Sequence, residues 1–331
     1  MVTGTTNEVQ SRQRSDRSLA MVDARCAVCG ADDAEPLAVG EDFEYRTSPD
    51  SFLAVRCRTC GLVYLERRPA PSELARIYPD DYHAFDFSAE RFGLVYRVRR
   101  RLEARRLLAI ARGLSPDARI LDVGCGDGFH LGLLAEFGRP GWRLEGIDPD
   151  PRAAARGEEL GLTIHTATVE DADLAAGAYE LAILIQTIEH VPDPAALLVG
   201  VRRLLKPGGR LLVVTDNTGS PDFTLFRRRH WGGYHFPRHF NLFDQRSFRR
   251  LSDRTGWDVD ELATMTSPVN WVYSIRNTLD DWGAPKGLVN QFSLESAPSL
   301  SVFTAFDALN RLAGRGALLR AVLRRPDRET P

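Results

Sequence analysis

From about residue 118 the chain alternates short apolar runs with amphipathic stretches. ARILDV (118–123) reads as a buried strand, FHLGLLAEFG (129–138) as a helix, and WRLEGID (142–148) as a second strand. PRAAARGEELG (151–161) is a helix closed by glycine, and LTIHTAT (162–168) a third strand. YELAILIQ (179–186) is apolar nearly throughout, as a central parallel strand is. PAALLVGVRRLL (194–205) is a helix, and RLLVVTD (210–216) a fifth strand. QRSFRRLSDRTG (245–256) is a helix, WDVDELATM (257–265) a sixth strand, and GALLRAVLRRP (316–326) a last, edge strand. Repeated β-α units predict an α/β fold with a doubly wound, mostly parallel sheet and right-handed crossovers.

The N-terminal third follows another pattern. Residues 1–22 are polar and lack periodicity, which predicts a disordered leader. Residues 23–68 contain two Cys-x-x-Cys pairs, and 69–112 a linker followed by helices. From Phe92 to Arg112 the spacing of Phe92, Val95, Val98 and Leu102 predicts an amphipathic, arginine-rich helix. Its arginines read as a solvated face rather than a nucleic-acid surface. The remainder, 113–331, is the α/β domain, with an insertion at 268–315 that reads as a substrate lid, a dimer contact or, least favoured, a membrane-surface element.

Composition narrows the function classes. A net charge of -2 over 331 residues exerts no global pull toward nucleic acid or anionic membrane. Residues 23–68 hold nine Asp/Glu against six Arg and no Lys, which disfavours an RNA-binding ribbon. There is no run of about 18 apolar residues to cross a membrane and no apolar core for a secretory signal, so a cytoplasmic protein is expected. In that setting, Cys26, Cys29, Cys57 and Cys60 suggest metal more than disulfides. Two thiolate knuckles complete a tetrahedral structural zinc site, and Gly61 supplies the turn after the second.

The glycine loop carries the chemistry. Asp122-Val123-Gly124-Cys125-Gly126-Asp127-Gly128 joins the first strand to its helix, where ligands of open α/β sheets bind. A dinucleotide fingerprint would be G-x-G-x-x-G; here the third glycine comes one residue early, which disfavours a nicotinamide dehydrogenase. Asp122 would repel a phosphate and attract a cation. Asp148, ending the second strand, is suited to ribose hydroxyls and to capping the next helix.

With Gln186-Thr187-Ile188-Glu189-His190 and Leu205-Lys206-Pro207-Gly208-Gly209-Arg210, these segments resemble the successive motifs of the class I S-adenosylmethionine (SAM)-dependent methyltransferase family over about residues 118–215. The resemblance implies a Rossmann-like methyltransferase sheet. Asp122, Gly124, Cys125, Gly126 and Gly128 would border the methionine moiety, and Asp148 would hold the ribose. Val169 and Glu170 would flank the adenine, with Gln186 near the methionine end. Glu180 stands where the family often has Asp. The cysteine region is similar to that of bacterial methyltransferases with an N-terminal zinc-binding segment, some of which act on nucleotide-linked sugars or in glycan and natural-product pathways. A small-molecule acceptor is therefore expected. An RNA methyltransferase and a non-catalytic SAM-fold binding protein are the alternatives, and oligomeric state stays open.

The loop after the fifth strand, His230 to Phe243, holds three of the seven histidines. In this fold it overhangs the transferred methyl group. His239, then His235, with Tyr234 beside them, are the candidates for proton removal and substrate recognition. Cys125 is not expected to act as a nucleophile.

Overall fold

The apolar runs become the strands of one seven-stranded sheet. The computed structural model describes residues 16–79, 82 and 89–327. Five strands are parallel: β6 (Arg119–Val123), β7 (Arg143–Asp148), β8 (Thr163–Thr166), β9 (Tyr179–Ile185) and β10 (Leu205–Asp216). The last two, β12 (Asp258–Met265) and β13 (Leu318–Arg324), complete the order β12-β13-β10-β9-β6-β7-β8, with β13 antiparallel to both neighbours. Helices α2 (Ala89–Ile110) and α3 (Phe129–Phe137) cover one face through Leu107, Leu133 and Leu134. α4 (Pro151–Glu159) crosses from β7 to β8. α5 (Pro194–Leu204) and α7 (Gln245–Arg254) cover the other face through Leu198, Val201 and Leu251.

The N-terminal strands form separate, smaller sheets. β1 (Met21–Asp23) pairs with β5 (Arg67–Pro69). β2 (Ala34–Glu41), β3 (Ser51–Cys57) and β4 (Val63–Leu65) form an antiparallel sheet whose fourth strand is β11 (Asn241–Leu242), contributed by the histidine loop. Val63 pairs with Leu242 and Tyr64 with Asn241. After β5 a short strap follows, a 3-10 turn and α1 (Leu74–Ile77). In the loop beyond β10, α6 (Pro221–Phe226) precedes the histidines. The insertion consists of α8 (Val269–Asp281), α9 (Lys286–Val289) and α10 (Ala297–Leu312). Ser274 of α8 accepts from Gly232 N at 2.8 Å, so the insertion backs the histidine loop. No helix among the described residues is long and apolar enough to cross a membrane.

Three expectations are corrected. The last strand is not an edge: Leu319, Ala321 and Leu323 are buried on one face and Val322 on the other, so β13 sits inside the sheet and β12 takes the edge. The α2 stripe is not the buried one. Val98 and Leu102 are exposed, while Ala104, Leu107 and Ile110 face the sheet. The Phe92 side chain lies outside the described residues. Of the expected disordered leader, residues 1–15 lie outside the described residues, but 16–22 are placed: Leu19 is buried beside Phe52 and Val63, and its amide donates to Asp50. The buried residues of the cysteine segment cluster with those of the α/β domain. Val28, Leu62 and Tyr64 belong to the same apolar cluster as Phe243, Phe248 and Leu251.

A buried ion pair fastens these parts together. Arg238 of the histidine loop donates to both oxygens of Asp42, at 3.1 and 3.0 Å, with both side chains fully buried. It also donates to the carbonyls of Ile77 and Phe236. Asp42 accepts further from the amides of Tyr45 and Thr47. Removing one partner strands a buried charge, so Asp42→Asn should cost about 3–5 kcal/mol in denaturant unfolding. Asp42→Leu combined with Arg238→Met should recover much of that. A loss below about 1 kcal/mol for the single variant would show that the pair is not what holds the loop.

Candidate functional site

At the carboxyl edge of β6 the chain must turn from strand to helix within a few residues. Gly124 does this at φ +71°, and a Cβ there would lie 2.4 Å from Thr187 Cγ2, so no larger residue fits. Gly126 and Gly128 also have positive φ. The loop is pinned to β7: Gly124 N donates to the Ile147 carbonyl at 2.8 Å, and Gly126 N to Asp148 Oδ2 at 2.9 Å. Asp148 Oδ1 accepts from Asp150 N, but the expected cap is corrected: Asp150, not Asp148, caps α4, its side chain accepting from Arg152 N.

Asp122, one residue before the end of β6, has its side chain buried; its Oδ2 makes no hydrogen bond, and His130 Nδ1 lies 3.8 Å from it. Burial, then the Asp148 and Asp127 carboxylates, push its carboxyl well above the usual range. Asp148 is raised as well, chiefly by burial. A buried, unpartnered carboxylate beside two further acids is a seat for a cation. This donor set fits the ammonium and sulfonium of SAM and does not fit a pyrophosphate.

The other cofactor candidates are placed less directly. Cys125 is turned into the sheet: a Cβ on Gly146 would meet its Sγ at 2.6 Å. Burial pushes its thiol far up, which leaves it inert and makes its contribution to the loop one of backbone only. Val169 lies buried at the end of the β8 segment, against Gly200 of α5, and Glu170 beside it is exposed. Gln186 takes φ +52° at the end of β9 and donates Nε2 to Glu189 Oε1 at 2.6 Å.

Beside the glycine loop lies a second group of side chains, gathered from distant segments. Glu189 is fully buried, accepting from Gln186 and, at 2.8 Å, from Thr215 Oγ1. Asp216, at the end of β10, accepts from Asn270 of α8 at 2.7 Å. Burial raises both carboxyls, helped by the Asp216 charge at Glu189 and by the Asp222 charge at Asp216. His239 Nδ1 lies 2.8 Å from the Gly233 carbonyl and 3.4 Å from Asp216 Oδ2. Its ring centroid is 4.5 Å from that of His190 and 5.0 Å from that of His235. Tyr78 of the strap reaches His190 Nδ1 at 2.9 Å, and Arg152 of α4 holds the strap through the Pro79 carbonyl. Glu189, His190 and His239 bring a carboxylate oxygen and two ring nitrogens within 4.8 Å of one another, a donor set that a divalent cation could also take.

Tyr234 does not join this group as a reacting side chain. It is buried among Phe223, Trp231 and Phe236, with its hydroxyl donated to the Arg227 carbonyl, so the geometry assigns it packing. Tyr78, Asp216 and Glu44 (which contacts His235) were missed by the sequence reading. They come from three separate segments, and no motif joins them.

The four cysteines converge as expected. Cys26 Sγ lies 3.3 Å from Cys60 Sγ, and Cys29 Sγ 3.5 Å from Cys57 Sγ, with all four sulfurs within 4.8 Å of one another. Each pair turns on a glycine at positive φ, Gly30 at +73° and Gly61 at +86°. Tetrahedral thiolates on one zinc stand about 3.8 Å apart, so this arrangement fits the ion.

Comparison with known proteins agrees with this geometry. A family model described as a methyltransferase domain matches residues 94–262, half of the chain. A ubiquinone biosynthesis O-methyltransferase of Cereibacter sphaeroides is 38% identical over 114 residues, covering 32% of this chain and 44% of that one. The protein of the same name from Sodalis glossinidius is 41% identical over 106 residues, covering 30% and 41%. The chain thus spans under half the length of these relatives. A solved structure from Thermotoga maritima, described as a SAM-dependent methyltransferase and possible histamine N-methyltransferase, covers 73% of this chain at 18% identity with a TM-score of 0.46. The match over half its length, on a sheet that ends in this glycine loop, shows that the chain belongs to the methyltransferase domain family, among the class I SAM-dependent methyltransferases.

Proposed function

We propose that this protein transfers the methyl group of SAM to a small-molecule acceptor at the histidine cluster. The buried Asp122 carboxyl at the glycine loop, whose Oδ2 makes no hydrogen bond, carries the reading, because it matches a cationic donor. Asp122 and the loop glycines would hold the methionine end, and Asp148 the ribose. Val169 and Glu170 would flank the adenine, and Gln186 would border the methyl group. When bound, SAM supplies an electrophilic methyl on a sulfonium.

The acceptor proposed is a hydroxyl. Two observations favour it: the relatives are named O-methyltransferases, and the imidazoles beside the loop suit proton removal. The Gly233 carbonyl can only accept, so His239 Nδ1 carries the ring proton and, in the neutral ring, Nε2 keeps its lone pair. Asp216 at 3.4 Å would stabilise the imidazolium formed when Nε2 takes the acceptor's proton. A phenol and the hydroxyl of a nucleotide-linked sugar are the two acceptor classes to separate.

Asp148→Ala should weaken SAM binding by roughly 1.5–3 kcal/mol in calorimetry while the variant stays folded. Unchanged affinity would remove Asp148 from the cofactor site. For chemistry, the wild type should be screened with SAM against simple phenols such as catechol and against nucleotide-linked sugars. His239→Ala should reduce turnover of the accepted class by roughly 100- to 10,000-fold without loss of SAM affinity. A loss of only a few-fold would mean that His239 shapes the pocket. SAM binding with no methylated product in either class would favour a binding role over an enzyme.

We propose further that Cys26, Cys29, Cys57 and Cys60 hold one structural zinc. Elemental analysis should find one zinc per chain, and Cys57→Ser should lower it. Because the cysteine segment shares a core and a sheet with the histidine loop, chelation should also loosen residues 230–243 in hydrogen exchange. Full zinc occupancy in the Cys57→Ser variant would defeat the assignment.

A further inference from the structure

The turn after β2 delivers one more charged group to the histidine cluster. Glu44 Oε2 lies 2.6 Å from His235 Nδ1, and the His235 side chain is 7% exposed. Tyr273 of α8 hydrogen-bonds to the same Glu44 carboxylate, so it is gripped from the insertion as well. The turn itself is fixed. Asp42 accepts from the Tyr45 and Thr47 amides, and the Arg238 guanidinium lies 4.4 Å above the Tyr45 ring. His235 in turn sits in a tight bend at φ 39°, with its ring 5.0 Å from His239, 6.3 Å from His190 and 6.0 Å from both Tyr45 and Tyr82.

We infer that Glu44 is a positioning residue that fixes His235 as a second proton acceptor at the transfer centre. An ionised carboxylate can only accept, so the 2.6 Å contact requires the proton on Nδ1. In the neutral ring the lone pair is then on Nε2, which is buried. The cavity bordering Glu44, His235, Phe43 and Tyr273 measures about 20 Å³, room for one water and not for an acceptor. The acceptor is instead assigned to the side of His190 and His239, whose rings lie 6.3 and 5.0 Å from that of His235. Where His239 does not take the proton, as in a His239→Ala background, the hydroxyl proton passes to His235 Nε2 as the oxygen–methyl bond forms and the sulfur–methyl bond breaks. The Nδ1 proton stays on the ring, and Glu44 remains ionised to balance the imidazolium. The cysteine segment thus contributes a group to the reaction as well as a scaffold for the loop. This inference rests on the reading of the cluster as the methyl-transfer site.

The test is the tautomer of His235 in the full chain, read by nitrogen-15 NMR of histidine-labelled protein and assigned by loss of its signals in His235→Gln. Wild type should show a protonated Nδ1 and an unprotonated Nε2. Glu44→Ala should shift the ring toward the Nε2–H form, and Glu44→Asp should restore the wild-type pattern. An Nε2–H tautomer in wild type, or no change in Glu44→Ala, overturns the assignment whether or not methyl transfer has been detected. In turnover of the acceptor found by screening, Glu44→Gln should lower kcat by about 100-fold in a His239→Ala background and leave KM unchanged. A change in KM alone would show that Glu44 only shapes the pocket. Failure to find any methylated acceptor would count against the proposed reaction and leave the tautomer result standing.

Discussion

The Asp42–Arg238 pair is the constraint around which the catalytic end is arranged. Taking both charges out of water costs several kcal/mol each, so such a pair persists only when every donor and acceptor is satisfied. Here they are, by the carbonyls of Ile77 and Phe236 on one side and the amides of Tyr45 and Thr47 on the other. Burial works against the Asp42 charge, but Arg238 outweighs it and holds the carboxyl below its usual range. The hydrogen bonds join three segments distant in sequence: the turn after β2, the strap before Tyr78, and the histidine loop. Glu44, Tyr78 and His239 each depend on one of them for their position.

The same economy governs the cleft. Asp122, Asp148, Glu189 and Asp216 are all raised by burial, so the cleft holds carboxyl groups that resist ionising. A cationic donor would reverse that balance at Asp122, where the nearest basic group, His130 at 3.8 Å, is itself kept neutral by burial. This is why a glycine loop on a Rossmann-like sheet, which might otherwise suggest a dinucleotide, is here unsuited to phosphate. The deeper pair, Glu189 and Asp216, backs His239 and ties β9, β10 and α8 together through Gln186, Thr215 and Asn270.

The cysteine segment is coupled to this centre by backbone as well as by side chains. β11 closes its sheet, Leu65 N donates to the Phe240 carbonyl at 3.1 Å, and Phe240 N donates to that of Glu189 at 2.7 Å. Direct backbone hydrogen bonds therefore link the knuckle sheet to Phe240, and Phe240 to the backbone of Glu189, the residue whose side chain is buried behind His239.

Local features were legible in the chain itself. The strands of the sheet announced themselves by apolar runs, the glycine loop by a spacing that only positive φ angles accommodate, and the metal knuckles by paired cysteines with a glycine at the turn. These depend on neighbours within a few residues, and sequence order preserves that information. Side-chain direction in an irregular loop does not. Tyr234 and His239 lie five residues apart in one aromatic stretch, yet one is packed against Phe236 and the other faces Asp216. The α2 stripe was misjudged for a related reason, since a helix buries the face its neighbours cover. The sequence by itself determined the sheet, the glycine loop and the paired cysteines. Only the tertiary structure decided that β13 lies inside the sheet, that the cysteine segment shares its core with the methyltransferase domain, and that Glu44, Tyr78 and Asp216 meet the histidines, because long-range packing and a buried ion pair, rather than any local propensity, bring those segments together.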